Sequence, residues 1–353
     1  MKRVTMPEHV QPVRIQRDDR TVVVGVDGSE HSRMAVKWAA DEAARRGSFL
    51  KILLAVVKEP KNVPIWYEPG SFGLSPGEAI VDDAFGLVAT RHPSLLARVE
   101  IVEQAPVPLL TGASRSADLL VVGARGRGGF KELFLGSVSD KCIQYAHCPV
   151  AVVHADPDDL PLEAVAPRIV VGIDGSLGST RALRWALEEA QIGSASVEAI
   201  YAWQYPPIGT FVLTPAHGYG IAGREIVDAA TEYAGKWAPE VPFEANVRFD
   251  ATVPGLLTAS KGADLLVTGS RGHGGFKDAL LGSVAHQCSR HAGCTVVVVR
   301  SLVPEGDFSA TAPCDPGAER STEDVRPGDS AVRTPTSSSD RGIEHHAARR
   351  GAE

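Results

Sequence analysis

The chain has 353 residues, of which 44% are hydrophobic and 22% charged, and its formal net charge at pH 7 is −7. This composition is typical of a soluble globular protein, and the length suits two domains. The negative charge and the aromatic content of 6% argue against sequence-independent binding of nucleic acid, which needs a basic face and stacking side chains.

The sequence also argues against a membrane or secreted protein. No apolar run reaches the roughly 20 residues that span a bilayer, and the N-terminal residues lack the apolar segment of a secretory signal. The five cysteines, an odd number, do not form a disulfide framework. We therefore expect a cytoplasmic protein with reduced thiols.

The first half of the chain alternates predicted strands and helices. In chain order the strands are "TVVVGV", "FLKILLAVV", "RVEIVEQ", "ADLLVVG" and "PVAVVH". A helix follows each of the first four, and the first helix has an apolar face that ends before Gly47, a glycine typical of a helix C-cap. Because continuous apolar strands alternate with helices, we expect a parallel, doubly wound sheet with helices on both faces.

The same order of elements occurs twice. Residues 22–43 align with 169–190, and the glycine-rich phrase "GARGRGGFKELFLGS" at 123–137 aligns with "GSRGHGGFKDALLGS" at 269–283. Self-similarity at a nearly fixed offset indicates a tandem duplication. The predicted fold class is therefore α/β, with two tandem Rossmann-like domains, each with a five-stranded parallel sheet flanked by helices.

Composition outside the two copies sets the predicted domain boundaries. The first domain spans 20–155 and the second 166–301, and an acidic, proline-bearing linker at 156–165 joins them. Residues 1–19 form an N-terminal arm. Residues 302–353 are rich in Ser, Pro and mixed charge without apolar periodicity, so we expect a disordered tail.

The duplicated glycine phrase follows strand four, at the sheet edge where ligands bind in this fold class. Its pattern is G-x-x-G, nine residues, then G-S, formed by Gly123, Gly126, Gly136 and Ser137 and again by Gly269, Gly272, Gly282 and Ser283. The glycines expose backbone N–H groups, and we expect each serine to cap the next helix, whose N-terminus attracts phosphate. The alternative is that the glycines only shape a tight turn. The phrase lacks the Gly-Lys-Ser/Thr of a Walker A loop, and a Rossmann fingerprint would follow strand one.

An aspartate follows strand one in each copy, Asp27 in "VGVDGS" and Asp174 in "VGIDGS". If strand one lies next to strand four, this carboxylate shares an edge with the glycine phrase and could meet a ribose hydroxyl, a base amine or Mg²⁺. Alternatively it makes an Asx-turn or caps the next helix, because "DGS" is also typical of turns. The residues leave both alternatives open.

Two cysteines recur in each copy, Cys142 with Cys288 and Cys148 with Cys294. Their spacing does not match a zinc hairpin, and no duplicated histidine accompanies them. We therefore expect core packing and no metal site formed by these residues.

The fifth strands, at 149–153 and 295–299, are apolar on both faces and close their copies. A terminal strand lies readily at a sheet edge, and an exposed apolar edge invites pairing. We expect the two edges to pair within the chain about a pseudo-twofold axis, as an intrachain pseudo-dimer. Further association into a homodimer is left open.

These phrases together resemble the universal stress protein family. The glycine phrase and its twin fit the pattern of the ATP-binding variant, and "VDGS" after strand one and "CPVAVV" in strand five also match. The resemblance covers both copies almost end to end. It implies a five-stranded parallel sheet with ATP, accompanied by Mg²⁺, at its carboxyl edge.

The resemblance also implies roles for particular residues. Asp27 and Asp174 would lie near the nucleoside, and Val56 would offer backbone groups to adenine, with Ala202 aligned to it in the second copy between bulky Tyr201 and Trp203. Ribose and phosphates would be held by Gly123, Gly126, Gly136, Ser137 and Val138 in the first copy, and by Gly269, Gly272, Gly282, Ser283 and Val284 in the second.

The function implied by the resemblance is a nucleotide-binding regulatory module that acts on an unidentified partner protein in the stress response. A slow ATP-hydrolysing or autophosphorylating enzyme is one alternative. A chaperone-like interaction protein that binds no nucleotide is another, and the intact glycine phrases argue against it. Neither copy shows a general base beside a nucleophile, so no catalytic residue is assigned.

Overall fold

The chain forms two lobes of the same topology, as described by a computed structural model. The structure describes residues 20–56, 76–126, 135–155, 158, 166–204, 216–273 and 280–300, with backbone alone at 216–222. The predicted N-terminal arm and tail, and nearly all of the predicted linker, lie outside the described residues.

The first lobe follows the predicted order of strands and helices. Its elements are β1 (Thr21–Val26), α1 (Glu30–Arg46), β2 (Phe49–Val56), α2 (Pro76–Arg91), β3 (Ala97–Glu103), α3 (Pro106–Ala113), β4 (Leu119–Gly123), α4 (Ser137–Tyr145) and β5 (Val150–Val153). Helix α1 begins after Ser29, whose side chain accepts a hydrogen bond from the N–H of Ser32, and ends at Gly47 with φ 59°. The predicted C-cap is confirmed, because glycine tolerates this left-handed conformation.

The second lobe repeats these elements. They are β6 (Arg168–Gly172), α5 (Leu177–Gly193), β7 (Ser196–Trp203), α6 (Ala216–Trp237), β8 (Phe243–Phe249), α7 (Thr252–Ala259), β9 (Leu265–Gly269), α8 (Ser283–His291) and β10 (Thr295–Val299). No helix among the described residues is long and apolar enough to cross a bilayer.

The ten strands of the described residues belong to a single sheet with the order β3-β2-β1-β4-β5-β10-β9-β6-β7-β8. Pairing is parallel within each lobe, whereas β5 and β10 pair antiparallel across the lobes. Ala151 lies opposite Val297, and Val150 lies opposite Val298. The predicted pairing of the fifth strands within one chain is therefore confirmed, and it removes the apolar edge that each lobe would otherwise expose.

The core has one apolar layer on each face of the sheet, and each layer includes residues from both lobes. The central strands are buried on both faces, since Val22, Val23 and Val24 of β1 are at most 1% exposed. This burial explains why the strands read as continuous apolar runs instead of alternating patterns.

Helices α1 and α5 meet across the two lobes through a buried group of charges, here called the inter-helix ion cluster: Glu42, Arg45, Arg46 and Glu189. The side chains of Glu42 and Glu189 are 0% and 1% exposed. Arg46 pairs with both carboxylates, and Arg45 Nη1 lies 3.1 Å from Glu189 Oε1. Buried carboxylates require such partners, so the cluster ties the two lobes together by charge as well as by strand pairing.

Candidate functional site

The predicted site residues gather at the carboxyl edge of β1 and β4, which are neighbours in the sheet. In doubly wound sheets this edge opens into a crevice where the strand order reverses direction, and here β1 lies between β2 and β4. The second lobe repeats the arrangement with β6 and β9. We call these places the first and second crevices.

In the first crevice Asp27 uses one carboxylate oxygen for a turn. Asp27 Oδ1 accepts a hydrogen bond from the N–H of Ser29 at 2.9 Å, and Gly28 between them has φ 79°. This is the Asx-turn that the sequence left open, whereas the cap of α1 is Ser29 and not the aspartate. The second oxygen, Oδ2, points toward the glycine loop: a Cβ atom at Gly126 would lie 2.6 Å from it.

In the second crevice the corresponding carboxylate is bonded directly to the loop. Asp174 Oδ1 accepts a hydrogen bond from the N–H of Ser176 at 3.0 Å, and Oδ2 accepts one from the N–H of His273, also at 3.0 Å. Burial alone would raise the pKa of Asp174, but hydrogen bonds from Ser176, Ser179 and His273 outweigh it and hold the pKa below its usual value. The carboxylate is therefore ionised at neutral pH.

The glycines of the motif serve two different contacts. A Cβ atom at Gly123 would lie 2.5 Å from the carbonyl oxygen of His31, and one at Gly269 would lie 2.6 Å from that of Gly178. These two glycines let the ends of β4 and β9 pack against the backbone of the first turns of α1 and α5. By contrast, a Cβ atom at Gly272 would lie 2.2 Å from Asp174 Oδ2, so the second glycine of each motif leaves room for the aspartate.

The helices that follow the glycine loops begin one residue earlier than expected. Gly136 and Gly282 are the N-caps of α4 and α8, so the prediction that Ser137 and Ser283 are the caps is wrong. The cause is a backbone hydrogen bond: the N–H of Gly136 donates to the carbonyl of Ala124 at 2.7 Å, which holds the glycine in the extended cap conformation. Neither helix has a side-chain hydrogen bond at its cap, and uncapped N–H groups suit an anion.

The strand register corrects the alignment of Ala202 with Val56. Val56 is the last residue of β2 and lies opposite Glu103, while Trp203 is the last residue of β7 and lies opposite Phe249. The equivalent of Val56 is therefore Trp203 and not Ala202, because the one-residue slippage between the copies falls after β7. The Trp203 ring packs edge-on against Phe249, with 5.1 Å between ring centroids.

The remaining predicted residues lie beside the crevices. Val138 and Val284 follow the first residues of α4 and α8 and pack against the core on that face of the sheet. Residues 127–134 and 274–279, which hold most of the nine-residue spacer with Lys131 and Lys277, lie outside the described residues.

The recurring cysteines belong to the core, as expected. Cys142, Cys148, Cys288 and Cys294 are buried free thiols, and burial raises the pKa of Cys142 to about 12. A thiol held neutral in this way is neither a nucleophile nor a metal ligand. In the part of the chain that the structure describes, no group of three or more His, Cys, Asp or Glu side chains is placed to hold a metal ion.

A pocket beside the first crevice was not anticipated from the sequence. It has a volume of about 250 Å³, and its arginine and histidine lining comes from both lobes: His31, Arg125, His154, Arg290 and His291. We call it the inter-lobe pocket. A signal was present in the sequence, because the two copies differ here in charge and size: His154 aligns with Arg300, and Arg290 aligns with Gln144.

Comparison with known proteins assigns the family. A family model described as the universal stress protein family matches residues 20–154 and again 166–300. A universal stress protein of Mycobacterium tuberculosis is 33% identical over 293 residues, which cover 80% of this chain and 98% of that protein.

A solved structure has the same fold over most of the chain. The crystal structure of a universal stress protein from Archaeoglobus fulgidus aligns over 79% of this chain and 96% of its own, with a TM-score of 0.54 at 18% identity. A universal stress protein crystallised in complex with cAMP aligns over 38% of this chain and 96% of its own, at 30% identity and a TM-score of 0.31. The chain belongs to the universal stress protein family and carries two copies of its domain in tandem.

Proposed function

We propose that the chain binds two nucleotides of the ATP class, one in each crevice, and acts as a nucleotide-dependent regulatory module. The observation that carries this proposal is the repetition of one geometry in both lobes. In each, an aspartate after the first strand faces the second glycine of the loop, and a helix without a side-chain cap follows. A duplicated turn with no ligand would not need both features.

The phosphates would lie between the loop and the start of the following helix. In the first lobe Gly126, Gly136 and Ser137 would hold them through backbone N–H groups, aided by the positive end of the α4 dipole. Gly272, Gly282 and Ser283 would do the same at α8. Gly123 and Gly269 would contribute by setting how closely the strand end approaches the helix backbone.

The carboxylates suit the nucleoside or a metal bound to the phosphates. Asp27 and Asp174 each place an oxygen beside the loop, and the pKa of Asp174 lies below its usual value. Mg²⁺ keeps several water ligands and is commonly held by one or two carboxylates together with substrate phosphates. One aspartate in each crevice among the described residues fits that arrangement, and Mg²⁺ would there neutralise phosphate charge.

The adenine base would lie at the ends of β2 and β7. The carbonyl of Val56 accepts a hydrogen bond from the N–H of Gln104 at 3.1 Å, which fixes this strand end. In the second lobe Trp203 replaces valine and offers an aromatic face instead. The two crevices should therefore differ in how tightly they hold the base.

A regulatory role follows if the nucleotide changes the loop. A ligand shifts a conformational equilibrium only by binding one state more tightly than another. A nucleotide that contacts Gly126 and Ser137 would favour one arrangement of these residues at the carboxyl edge of the first lobe, and a partner protein in the stress response would bind that arrangement.

Calorimetric titration of the full chain with ATP and Mg²⁺ tests the proposal. We expect saturable binding of ATP, with inorganic triphosphate binding more weakly because it lacks the nucleoside. No detectable heat with ATP, or equal affinity for ATP and sulfate, would show that the crevices do not recognise a nucleotide.

A further inference from the structure

The inter-lobe pocket lies where β4 and β5 of the first lobe end against the last turn of α8 from the second. Its lining includes five basic side chains, His31, Arg125, His154, Arg290 and His291, and the rest of the lining is the small residues Ala124, Ala292 and Gly293. None of the described residues that line it is a carboxylate. Two arginines and three histidines gathered in the described lining of one cavity indicate a site for an anion.

Two of these side chains have buried polar atoms without a protein partner. One ring nitrogen of His154 hydrogen-bonds the backbone of Ser289, while Nε2 is buried and has no hydrogen-bond partner among the described residues. The Nε atom of Arg290 is also buried and also has no hydrogen-bond partner among the described residues. The Arg290 Nε is a donor, and burying it without an acceptor is costly, so an anion in the pocket would supply the acceptor that it lacks. The His154 Nε2 becomes a second donor when the imidazole is protonated.

At the equivalent place in the other lobe, related by the pseudo-twofold axis, an arginine side chain reaches the facing helix. Arg300 is the equivalent of His154, and its Nη1 donates to the carbonyls of Ile143 at 3.0 Å and Gln144 at 2.5 Å. Ile143 is in turn the equivalent of Ser289, which His154 contacts. Arg300 therefore reaches the last turn of the opposing helix with its own cation, whereas the shorter His154 leaves space at the same place.

The last turns of α4 and α8, which face these positions, also differ in charge. Where α8 carries Arg290 and His291, the equivalent residues of α4 are Gln144 and Tyr145. At the end of α4 the cation comes from Arg300, which follows β10. At the end of α8 the helix itself supplies Arg290 and His291, and they line the inter-lobe pocket. His154 is too short to fill the space that Arg300 fills in the other lobe, and the facing helix carries additional basic residues. This combination is expected of a binding site and not of a packing defect.

We propose that the inter-lobe pocket binds a small tetrahedral oxyanion, inorganic phosphate, sulfate or the phosphate end of a monoester, between Arg125 and Arg290. The volume of about 250 Å³ lies below the roughly 300–1,000 Å³ of sites for drug-sized ligands. His31 would donate an N–H to the anion, and His154 would donate from Nε2 in the protonated form of its imidazole, which the bound anion stabilises. Among the residues that line the pocket, only Ala124 and Arg125 belong to the glycine loop, so the site does not depend on nucleotide binding in the crevice.

Titration of the full chain with inorganic phosphate, sulfate and glycerol phosphate tests the proposal. We expect saturable binding that Arg290→Gln, which installs the residue found at the equivalent position, weakens about tenfold or more because a charge-assisted hydrogen bond is lost. His154→Arg, which installs the equivalent of Arg300, should abolish binding by filling the pocket. Tighter binding of glycerol phosphate would assign a monoester as the ligand, and tighter binding of inorganic phosphate or sulfate would assign the free ion.

Arg224→Gln is the matched control, since it removes the same charge from an exposed position on α6. It should leave oxyanion affinity unchanged, and Arg290→Gln should leave ATP affinity unchanged. No saturable binding of any of the three probes would overturn the proposal. So would oxyanion binding that survives Arg290→Gln but is lost in Gly126→Ala, because the ion would then occupy the glycine loop.

Discussion

Asp174 and His273 are joined by a hydrogen bond from the backbone N–H of the histidine to Oδ2 of the carboxylate, at 3.0 Å. The residue that follows the first strand of the second lobe is thereby fixed to the loop that follows the fourth. A Cβ atom at the intervening Gly272 would lie 2.2 Å from the same oxygen. The hydrogen bond therefore requires glycine for reasons of space, since Gly272 is not among the glycines with positive φ.

This contact predicts how alanine affects the loops. Gly272→Ala and Gly126→Ala should each displace the facing carboxylate and lower ATP affinity in their own lobe by about tenfold or more. Both positions are exposed, so the free energy of unfolding should change by less than about 1 kcal/mol. Calorimetric titration and urea unfolding measure the two effects.

Two other glycines provide matched controls. Gly123→Ala, in the same motif, should lower the free energy of unfolding by about 1–3 kcal/mol, because its Cβ would meet the backbone of His31. A Cβ atom at Gly86 on α2 would meet no other atom, so Gly86→Ala should lower neither the ATP affinity nor the free energy of unfolding. If Gly126→Ala destabilises the fold as Gly123→Ala does but leaves ATP affinity intact, the loop is only a tight turn.

The inter-helix ion cluster predicts a large effect of Glu189. Glu189→Ala should lower the free energy of unfolding by about 3 kcal/mol, because it removes a buried carboxylate that Arg45 and Arg46 share across the lobes. Glu188→Ala on the same helix removes an exposed pair with Arg184 and should cost about 0.5 kcal/mol or less. Equal losses in the two variants, measured by urea unfolding, would mean that the cluster does not hold the lobes together.

The antiparallel pairing of β5 and β10 predicts a cross-link within the chain. Ala151 and Val297 are directly opposite, at a separation that suits a disulfide between adjacent strands. Cysteines at both positions, in a chain whose native thiols are replaced, should form a disulfide under mild oxidation while the protein keeps the mass of one chain. Cross-links that form only between chains would exclude the intramolecular pairing.

The titration of His154 predicts part of the pH dependence of stability. Burial, with the nearby charges of His31 and Arg125, lowers the pKa of His154 to about 4 from the usual 6.5. The unfolded chain then binds the proton more readily, so this contribution to stability is present above about pH 6.5 and is lost as the pH falls toward about 4. His154→Gln removes the titrating group, and the stability of the native chain relative to this variant should fall by about 2–3 kcal/mol over that range.

Unfolding at a series of pH values, with both proteins in the same buffer, makes this comparison. The buffer should contain neither phosphate nor sulfate, since an anion in the inter-lobe pocket would raise the pKa of His154. A constant difference between the two proteins across the range would show that His154 titrates as an ordinary exposed histidine.

The sequence predicted the parallel sheet, the order of elements and the pairing of the fifth strands, because buried strands leave continuous β-branched runs and an apolar edge must be covered. It misassigned the caps at Ser137 and Ser283, since the deciding contact is a backbone hydrogen bond from Gly136 to Ala124. Side-chain preference alone carries no information about such a contact.

Other features depended on contacts between the lobes. No role was predicted for Glu42 and Glu189 from the sequence, because their burial arises only where α1 and α5 come together. The same holds for His154 and Arg290, which are distant in sequence and meet because β5 pairs with β10. Which charged residues face each other depends on the order of the strands across the two lobes, and the sequence alone does not show that order at the level of single side chains.

The number of ATP molecules bound per chain tests the central claim most directly. Equilibrium dialysis of the full chain against Mg²⁺ and ATP at about ten times the dissociation constant of the native sites should give close to two ATP per chain for the native protein. With a tenfold loss of affinity at one site, Gly126→Ala or Gly272→Ala should bind about 1.4 per chain, and the double variant about one. A native chain that binds no ATP, or a double variant that still binds two, would contradict the account of paired nucleotide sites at the glycine loops.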